Sequence, residues 1–508
     1  MKRGIVPLLL CILCICTVLF CCACSSSENP GAGTDAEIPE KITIQYEVCD
    51  SGGGRIEGWR TQHGKPGETT EREVTAVPKL GYTFAGWSDG VTEPSRKDVY
   101  GTEDRTVTAN FRIDRAELPV MVITTDTGSD VPSKTSYIGA SISLSNTGNA
   151  EWEFSAARAE IRGRGNATWN FEKKSYRFRL DKKRQLLGLG SGEEKTWILM
   201  ANQCDQSLLR NYLSIYMANH LSGIGFNSSG TFVEVYLNGN YRGVYLLAEQ
   251  VETAEHRIDL GRDALDDPET ADAGFLVELD MYAEDPKRFY AGNRPYELKS
   301  DILSRAQYDF AQNYIDTVDS VLKTGDKAQI EKYVDLDSAL DGYLLEEFFK
   351  NIDVGWSSFY MYKLPGAEEV LHLGPFWDFD LAAGNDYRLD NGSWKGLYAG
   401  ADYGFDQSNR WFIRLMRYDW FRAMVKERWA EISDIVDDVI EEARRVAASA
   451  PKAFDRNFEA WPIFGKRINQ EPEHVMALSS HKEHADYLIQ WLTERKAWLD
   501  KEFEDLET

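Results

Sequence analysis

NIDVGWSSFYMYKLPGAEEVLHLGPFWDFD, residues 351–380, sets acidic side chains at both ends of an apolar and aromatic run. An ionised carboxylate in such surroundings is tolerated only when it is paired, hydrogen-bonded or bound to a metal. Asp353, Asp378 and Asp380 therefore ask for a cation or a reacting proton. FYMY and FWDFD read as two strands joined by the polar turn Pro365, Gly366, Ala367, Glu368 and Glu369. Closing that hairpin returns the Asp353 end of the chain to the Asp378 end. Ordinary ion pairs at a sheet edge would account for the same acids, and this stretch alone does not decide between the two.

The spacing has a mechanical parallel in protein kinases. There an Asp takes the proton of the acceptor hydroxyl, an Asn five residues on binds a metal, and the acid of Asp-Phe-Gly beyond a hairpin binds Mg²⁺. Here Asp353 is followed five residues on by Ser358, and Asp378-Phe379-Asp380 stands where Asp-Phe-Gly would.

Upstream, AEIRGRGNATWNFEKKSYRFRL (residues 159–180) is the second informative stretch. Gly163 and Gly165 allow a backbone turn close to a ligand, flanked by Arg162 and Arg164. In the strand that follows, Lys174, Tyr176, Phe178 and Leu180 share one face, and Lys173 shares the other with Ser175, Arg177 and Arg179. That parity turns Lys174 inward and Lys173 to solvent. A lysine turned inward beneath a glycine loop fits a phosphate ligand, and a snorkelling lysine at the sheet rim is the plain alternative. Next, residues 197–221 read as a strand breaking into an amphipathic helix, and Asn238-Gly239 between two alternating apolar runs is a strong hairpin signal. The second strand of that hairpin runs to Glu249, and a polar loop follows to about residue 273.

Residues 307–352 read as helical, with Leu336, Leu340, Tyr343, Leu344 and Phe348 on one stripe and Asp337 or Ser338 as cap, delivering Asp353 at the end. Residues 411–448 and 483–503 are further amphipathic helices; the stripe of Tyr487, Leu488, Trp491, Arg495, Trp498 and Leu499 reads as core. The expected class is α+β, a β-rich half followed by a helical one.

At the other end, Lys2 and Arg3 precede an apolar run over residues 5–20 and then Cys-Cys-Ala-Cys-Ser at 21–25. A small residue before Cys24, ahead of a Ser-rich segment, resembles a bacterial lipobox. It implies a signal peptide over residues 1–23, acylation of Cys24 and a lipid-anchored, extracytoplasmic chain. Residues 24–40 read as a flexible tether. Six of the eight cysteines lie within residues 1–24, so a disulfide framework and a Cys-rich zinc site are excluded by count, and Cys49 and Cys204 read as thiols. The net charge of −25 becomes −27 once Lys2 and Arg3 are removed. Such a surface repels nucleic acid and favours basic partners.

Residues 41–113 carry the short alternating runs ITIQYEV, REVTAVP, YTFAGW and VTANF, which predict a small all-β module. GYTFAGWSDG followed by TVTANF resembles the internalin-type B-repeat of bacterial surface proteins, which implies a spacer or a weak binding module.

Several motifs then occur in one order: IRGRGNATW, KKSYRFRL, TWILMANQCDQSLLRN, VEVYLNGNYRGVYLLAEQVE, Asn351-x-Asp353 and Trp377-Asp378-Phe379-Asp380. Together they resemble the spore coat protein H (CotH) kinase family, from about Leu118 to the C-terminus, within a domain spanning residues 114–508. The resemblance implies a two-lobed atypical protein-kinase-like fold, with a β-rich small lobe and a helical large lobe. It also implies transfer of the γ-phosphoryl group of ATP to protein Ser/Thr with Mg²⁺ or Mn²⁺. Carried over residue by residue, it makes Lys174 the phosphate-binding lysine, Asp353 the base and Asp378 the metal ligand, with Asp380 as fallback. Arg162, Gly163, Arg164, Gly165 and Asn166 form the nucleotide loop, with Glu249 near it or in a rim ion pair. The chain departs from kinase logic at Ser358, whose hydroxyl can ligate Mg²⁺ only as a neutral, monodentate oxygen.

Walker, His-Glu-x-x-His and Gly-x-Ser-x-Gly signatures do not occur in the sequence. Three readings follow. One is an envelope-anchored kinase acting on a protein, with a basic one favoured by the charge; another is a non-catalytic surface protein (pseudokinase or adhesin) on the same fold; the third is a carbohydrate-active enzyme using the acids of 353–380.

Overall fold

The computed structural model describes residues 41–49, 53–114, 116–261, 267–404 and 407–508. The expected signal peptide, Cys24 and the tether lie outside them. Among the described residues no helix is long and apolar enough to cross a membrane.

The N-terminal module consists of two sheets. Strands Thr61–Gly64, Ile42–Val48, Arg105–Ile113 and Tyr82–Trp87 form one, and Gly54–Glu57, Val74–Pro78 and Ser95–Arg96 the other. Alternation along Ile42–Val48 buries Ile42, Ile44 and Tyr46 against Trp87, Val107 and Ala109, so the module has a core of its own. It is also docked. The rings of Tyr82 and Tyr236 meet edge to face at 5.4 Å; Tyr236 donates to the Gly81 carbonyl at 2.8 Å and Tyr82 to the Gly239 carbonyl at 3.2 Å. Arg456 joins Asp114 at 3.2 Å to Glu234 at 2.9 Å across the same seam. Tyr236→Ala empties this contact and should cost about 3 kcal/mol or more. Urea unfolding should then split into separate module and barrel transitions; one unshifted transition would show that the dock contributes nothing.

Seven strands close into a barrel in the order Phe154–Arg164, Ser175–Arg184, Glu194–Met200, Asn240–Glu249, Gly230–Leu237, Val120–Thr125, Ile138–Ser145. Asn238 and Gly239 take left-handed backbone angles in the expected two-residue hairpin turn. Tyr176, Phe178, Leu180, Trp197, Leu199, Val235 and Leu247 fill the interior. A ligand has no room inside such a packed barrel, so any site must lie against its outer face.

The remaining chain forms a five-stranded sheet, Arg288–Ala291, Arg294–Leu298, Phe275–Leu279, Phe359–Lys363 and Leu371–Phe376, wrapped by helices. The expected helical stretch over 307–352 is broken into Arg305–Val321, Lys327–Ile330 and Leu336–Phe349. The last of these is buried on every side except at Asp337, so the apolar stripe read from the sequence is only part of its contact surface. Its cap is Asp335, which accepts from the Asp337 N–H at 3.1 Å, and neither Asp337 nor Ser338 takes that role. The helix stops at Lys350, which adopts the left-handed conformation and donates to the Ser393 and Lys395 carbonyls at 3.1 and 2.6 Å. The terminal helix His481–Glu504 buries Leu488, Trp491, Arg495 and Leu499, and Arg495 pairs with Glu347 of the central helix at 2.7 Å.

Candidate active site

The hairpin read from residues 351–380 forms, with Phe359 paired to Phe376, and its strands end before the acids begin. Trp377, Asp378, Phe379 and Asp380 therefore sit in a loop beyond the sheet. Both Ser358 and Asp378 adopt left-handed angles, φ 61° and 69°. Non-glycine residues hold that conformation only where their surroundings impose it. Here the Ser358 N–H donates to Glu278 Oε1 at 2.8 Å, and Ser358 Oγ donates to Asp378 Oδ2 at 3.1 Å.

The start of the helix Arg210–His220 clamps the same loop. Asn211 accepts from the Phe379 N–H at 2.6 Å. Arg210, fully buried and paired with Asp205 at 2.5 Å, donates to the Ala382 and Ala383 carbonyls at 2.9 and 3.1 Å. Across from it, the Asp353 loop is held by Tyr398 on the Ile352 carbonyl at 2.8 Å, Asn409 on the Val354 carbonyl at 3.0 Å and the Gly355 N–H on the Gln407 carbonyl at 2.8 Å.

These elements line a cleft of about 650 Å³ between the outer barrel face and the helical half. Asp353, Ser358, Asp378 and Asp380 face it together with Arg164. Burial, reinforced by Asp378 and Asp386 and opposed by Arg388, pushes the Asp353 carboxyl up to about 7. Burial likewise raises Asp378, against the pull of Arg164 and the Ser358 hydroxyl. Asp380 is driven well above the carboxylate range by burial and then by Asp378, Asp205 and Asp353. Arg164, stacked over Trp377 at 5.1 Å, is the cation beside Asp378.

Desolvation and mutual repulsion thus oppose the ionisation of all three acids, and a bound cation would favour it. Among the described residues no three His, Cys, Asp or Glu side chains converge as a ready-made metal cage. Mg²⁺ needs none: it takes one or two carboxylates and completes its shell with phosphate oxygens and water. Asp378 and Asp380 with the Ser358 hydroxyl are hard oxygen donors of that kind, and they fit.

A pH prediction follows. Asp280, on the cleft rim, is raised to about 6, by burial first and then by Glu278 and Glu297. Carboxyls with raised pKa keep their protons in the folded chain while the unfolded chain has lost them, so metal-free stability should fall as pH rises from about 4 to about 7. Calorimetry should show a lower melting temperature at pH 8 than at pH 5, with Mg²⁺ recovering more at pH 8. Equal Mg²⁺ effects at both pH values would contradict the unneutralised cluster.

Three expectations need correction. Lys174 does not line the cleft; it donates to the Trp169 carbonyl at 2.6 Å and lies over the Trp169 ring. Lys173 does line it, contrary to its expected solvent position, and is 2 % exposed. The cleft lies outside the barrel, so the face shared by Lys173, Ser175 and Arg177 meets it. Lys173 nonetheless spends its donors on the Ala201 and Val244 carbonyls and Asn457 Oδ1, at 2.9, 2.5 and 2.8 Å, and burial pushes its pKa well down. Glu249 takes the second of its two expected places, an ion pair: it meets Arg257 at 3.6 Å and accepts from the Ser229 N–H and hydroxyl at 2.9 and 2.8 Å, while its neighbour Gln250 faces the cleft. Gly163 serves packing, because a Cβ there would lie 2.0 Å from the Trp169 ring.

Gly165, at φ 102°, turns the loop, which brings Arg162, Arg164 and Asn166 to the cleft; Arg162 donates to the Lys134 carbonyl. Glu278, Lys299 and Arg388 also face the cleft and were missed, since no motif spacing marks them. Arg177 lay on the strand face assigned to solvent.

Residues 161–499 match the family model described as CotH kinase protein, and residues 44–115 match that of the divergent InlB B-repeat domain. No curated protein matches the chain.

Proposed function

The chain belongs to the CotH kinase protein family, whose model spans about two thirds of it, and from that premise we propose that the cleft transfers the γ-phosphoryl group of ATP to Ser or Thr hydroxyls of a protein. The observation that carries this reading is the set of three half-buried carboxylates facing one cleft, Asp353, Asp378 and Asp380, each held above the usual carboxylate range. In this reading the barrel and the helical half act as the small and large lobes, with the nucleotide between them. Mg²⁺ bound with ATP would supply charge neutralisation at the phosphate oxygens.

The chain's own residues do the rest. Asp378, fixed by Ser358, and Asp380 present carboxylate oxygens to the cation. Arg164 presents a planar fork to phosphate oxygens. Asp353 lies on a separate loop held by hydrogen bonds to Ile352, Val354 and Gly355, orients the acceptor hydroxyl and takes its proton. The leader and Cys24 support an envelope-anchored protein, and the acidic surface favours a basic substrate.

One observation favours the non-catalytic alternative: the cleft lysine, Lys173, is fully committed to three protein acceptors. The purified full chain should be incubated with Mg²⁺ or Mn²⁺ and γ-labelled ATP. Transfer of label to the chain or to a basic protein is expected; nucleotide binding with no transfer would establish the pseudokinase reading.

A further inference from the structure

Beyond Asp380 the chain turns through residues 381–389 and brings Arg388 to the cleft wall. The turn is anchored to the site. Asn385 Nδ2 donates to the Asp380 and Cys204 carbonyls at 2.7 and 2.8 Å, and the Tyr387 N–H donates to the Gln470 carbonyl at 2.8 Å. Cys204, Asp380 and Gln470 all line the cleft. The place of Arg388 is therefore set by the same segment that carries Asp378 and Asp380.

The Arg388 guanidinium has one edge fixed and one edge open. Asp386, 2 % exposed, accepts from Arg388 Nε at 3.0 and 3.1 Å, from Nη2 at 2.6 Å and from the Arg388 N–H at 2.8 Å. Among the described residues every hydrogen bond to that carboxylate comes from Arg388. A buried carboxylate is costly unless paired, and a fork bound through two nitrogens is fixed in its plane. Asp386 thus aims Arg388. The third nitrogen, Nη1, is not enclosed and makes no hydrogen bond among the described residues, in a side chain that is 30 % exposed. Arg388 and Asp353 also act on one another. Burial and Asp378 raise the Asp353 carboxyl and Arg388 opposes them, while Asp386 first and then Asp353 favour the charged guanidinium. Yet Arg388 pairs with Asp386 and not with Asp353. Two opposite charges that line one cleft without touching leave room between them for a substrate group.

We propose that Arg388 is a further catalytic residue, whose Nη1 donates to the γ-phosphoryl group on the side of the acceptor hydroxyl, and that Asp386 is its positioning residue. This rests on the reading of the cleft as a nucleotide site. During transfer the acceptor oxygen bonds to phosphorus, the bond from phosphorus to the β,γ-bridging oxygen breaks, the hydroxyl proton passes to Asp353 and ADP leaves. Negative charge spreads over the equatorial oxygens of the moving group, next to the hydroxyl that Asp353 orients. A donor already aimed at that place needs no rearrangement as the charge develops. The Asp386 and Arg388 pair is neutral as a whole, so its contribution is direction rather than surplus charge.

The test is calorimetric titration of the full chain, with Mg²⁺, against ADP and against the β,γ-imido analogue of ATP. The wild-type chain should bind the analogue more tightly than ADP. The double variant Asp386→Asn, Arg388→Gln removes both members of the pair and leaves no charge buried alone. It should weaken the analogue by about tenfold or more and leave ADP unchanged. With γ-labelled ATP its turnover should fall by about 10²-fold or more, the weight of one aimed donor to a charged transition state. Should the double variant fail to fold, Arg388→Lys keeps a charge for Asp386 but has no planar fork to reach both partners, and should show the same selective loss. Equal weakening of ADP and analogue would assign the pair to the shape of the cleft and overturn the proposal. An unchanged preference for the analogue with unchanged turnover, or a wild-type chain that binds the two alike, would overturn it and leave the nucleotide reading in place. A wild-type chain that binds neither would overturn both.

Discussion

Replacing Asp378 by Asn should cut phosphoryl transfer by about 10³-fold or more, while the metal-free chain keeps or gains stability at pH 8. The substitution preserves shape, and the amide oxygen can still accept from the Ser358 hydroxyl, 3.1 Å away in the wild-type chain. What disappears is one negative charge among buried acids that repel one another. Asp380 and Asp353 are both raised in part by Asp378, so each should ionise more readily in the variant. The pairing of the two readouts is diagnostic. If Asp378 were simply the structural partner of Arg164, its removal would leave a buried guanidinium uncompensated and lower stability by several kcal/mol. A melting temperature that drops sharply in the metal-free variant would therefore favour that reading.

Asp353→Asn should lower turnover by about 10²- to 10⁴-fold, the usual weight of a general base, with nucleotide affinity unchanged. Asp353 lies on the loop held by Tyr398, Asn409 and Gln407, none of which bonds its carboxylate, so the substitution leaves the loop in place. The pH dependence supplies a second check. A base must be ionised to accept a proton, so wild-type turnover should rise with pH. Its limb should lie below the metal-free value of about 7, because a bound cation favours the carboxylate. In Asp353→Asn that limb should vanish. A variant that loses nucleotide binding together with turnover would move Asp353 from the base to the metal.

The parts of the fold legible in the sequence were those governed by local rules. Asn238-Gly239 and the Pro365-Gly366 turn each sit between alternating strands, and both hairpins form where that pattern sets them. The same hairpin logic brings Asp353 and Asp378 to one cleft although 24 residues intervene. The β-rich and helical halves and the N-terminal module follow from where the hydrophobic period changes.

Other features depended on closure over long distances. A period of two assigns Lys173 and Lys174 to opposite faces, but it does not say which face meets the ligand. Closure of the barrel reserves the inner face for Phe178 and Leu180 and turns the outer one to the cleft. Glu249 turns from the cleft for a related reason: Ser229, on the neighbouring chain segment, and Arg257 take its carboxylate. The central helix shows only one apolar stripe in the sequence, because its polar residues Asp341 and Glu347 are buried as well, against partners far away in sequence. Arg428 takes Asp341 at 2.8 Å, and Arg495 takes Glu347.

In the proposed function Arg164, Asp378 and Asp353 serve one nucleotide. A crystal structure of the full chain with Mg²⁺ and a non-hydrolysable ATP analogue tests it most directly. Phosphate oxygens should lie against the Arg164 guanidinium, with the cation on Asp378 and the terminal phosphoryl group facing Asp353. Nucleotide bound away from these residues, or a cation on Asp378 with the triphosphate outside the cleft, would contradict it.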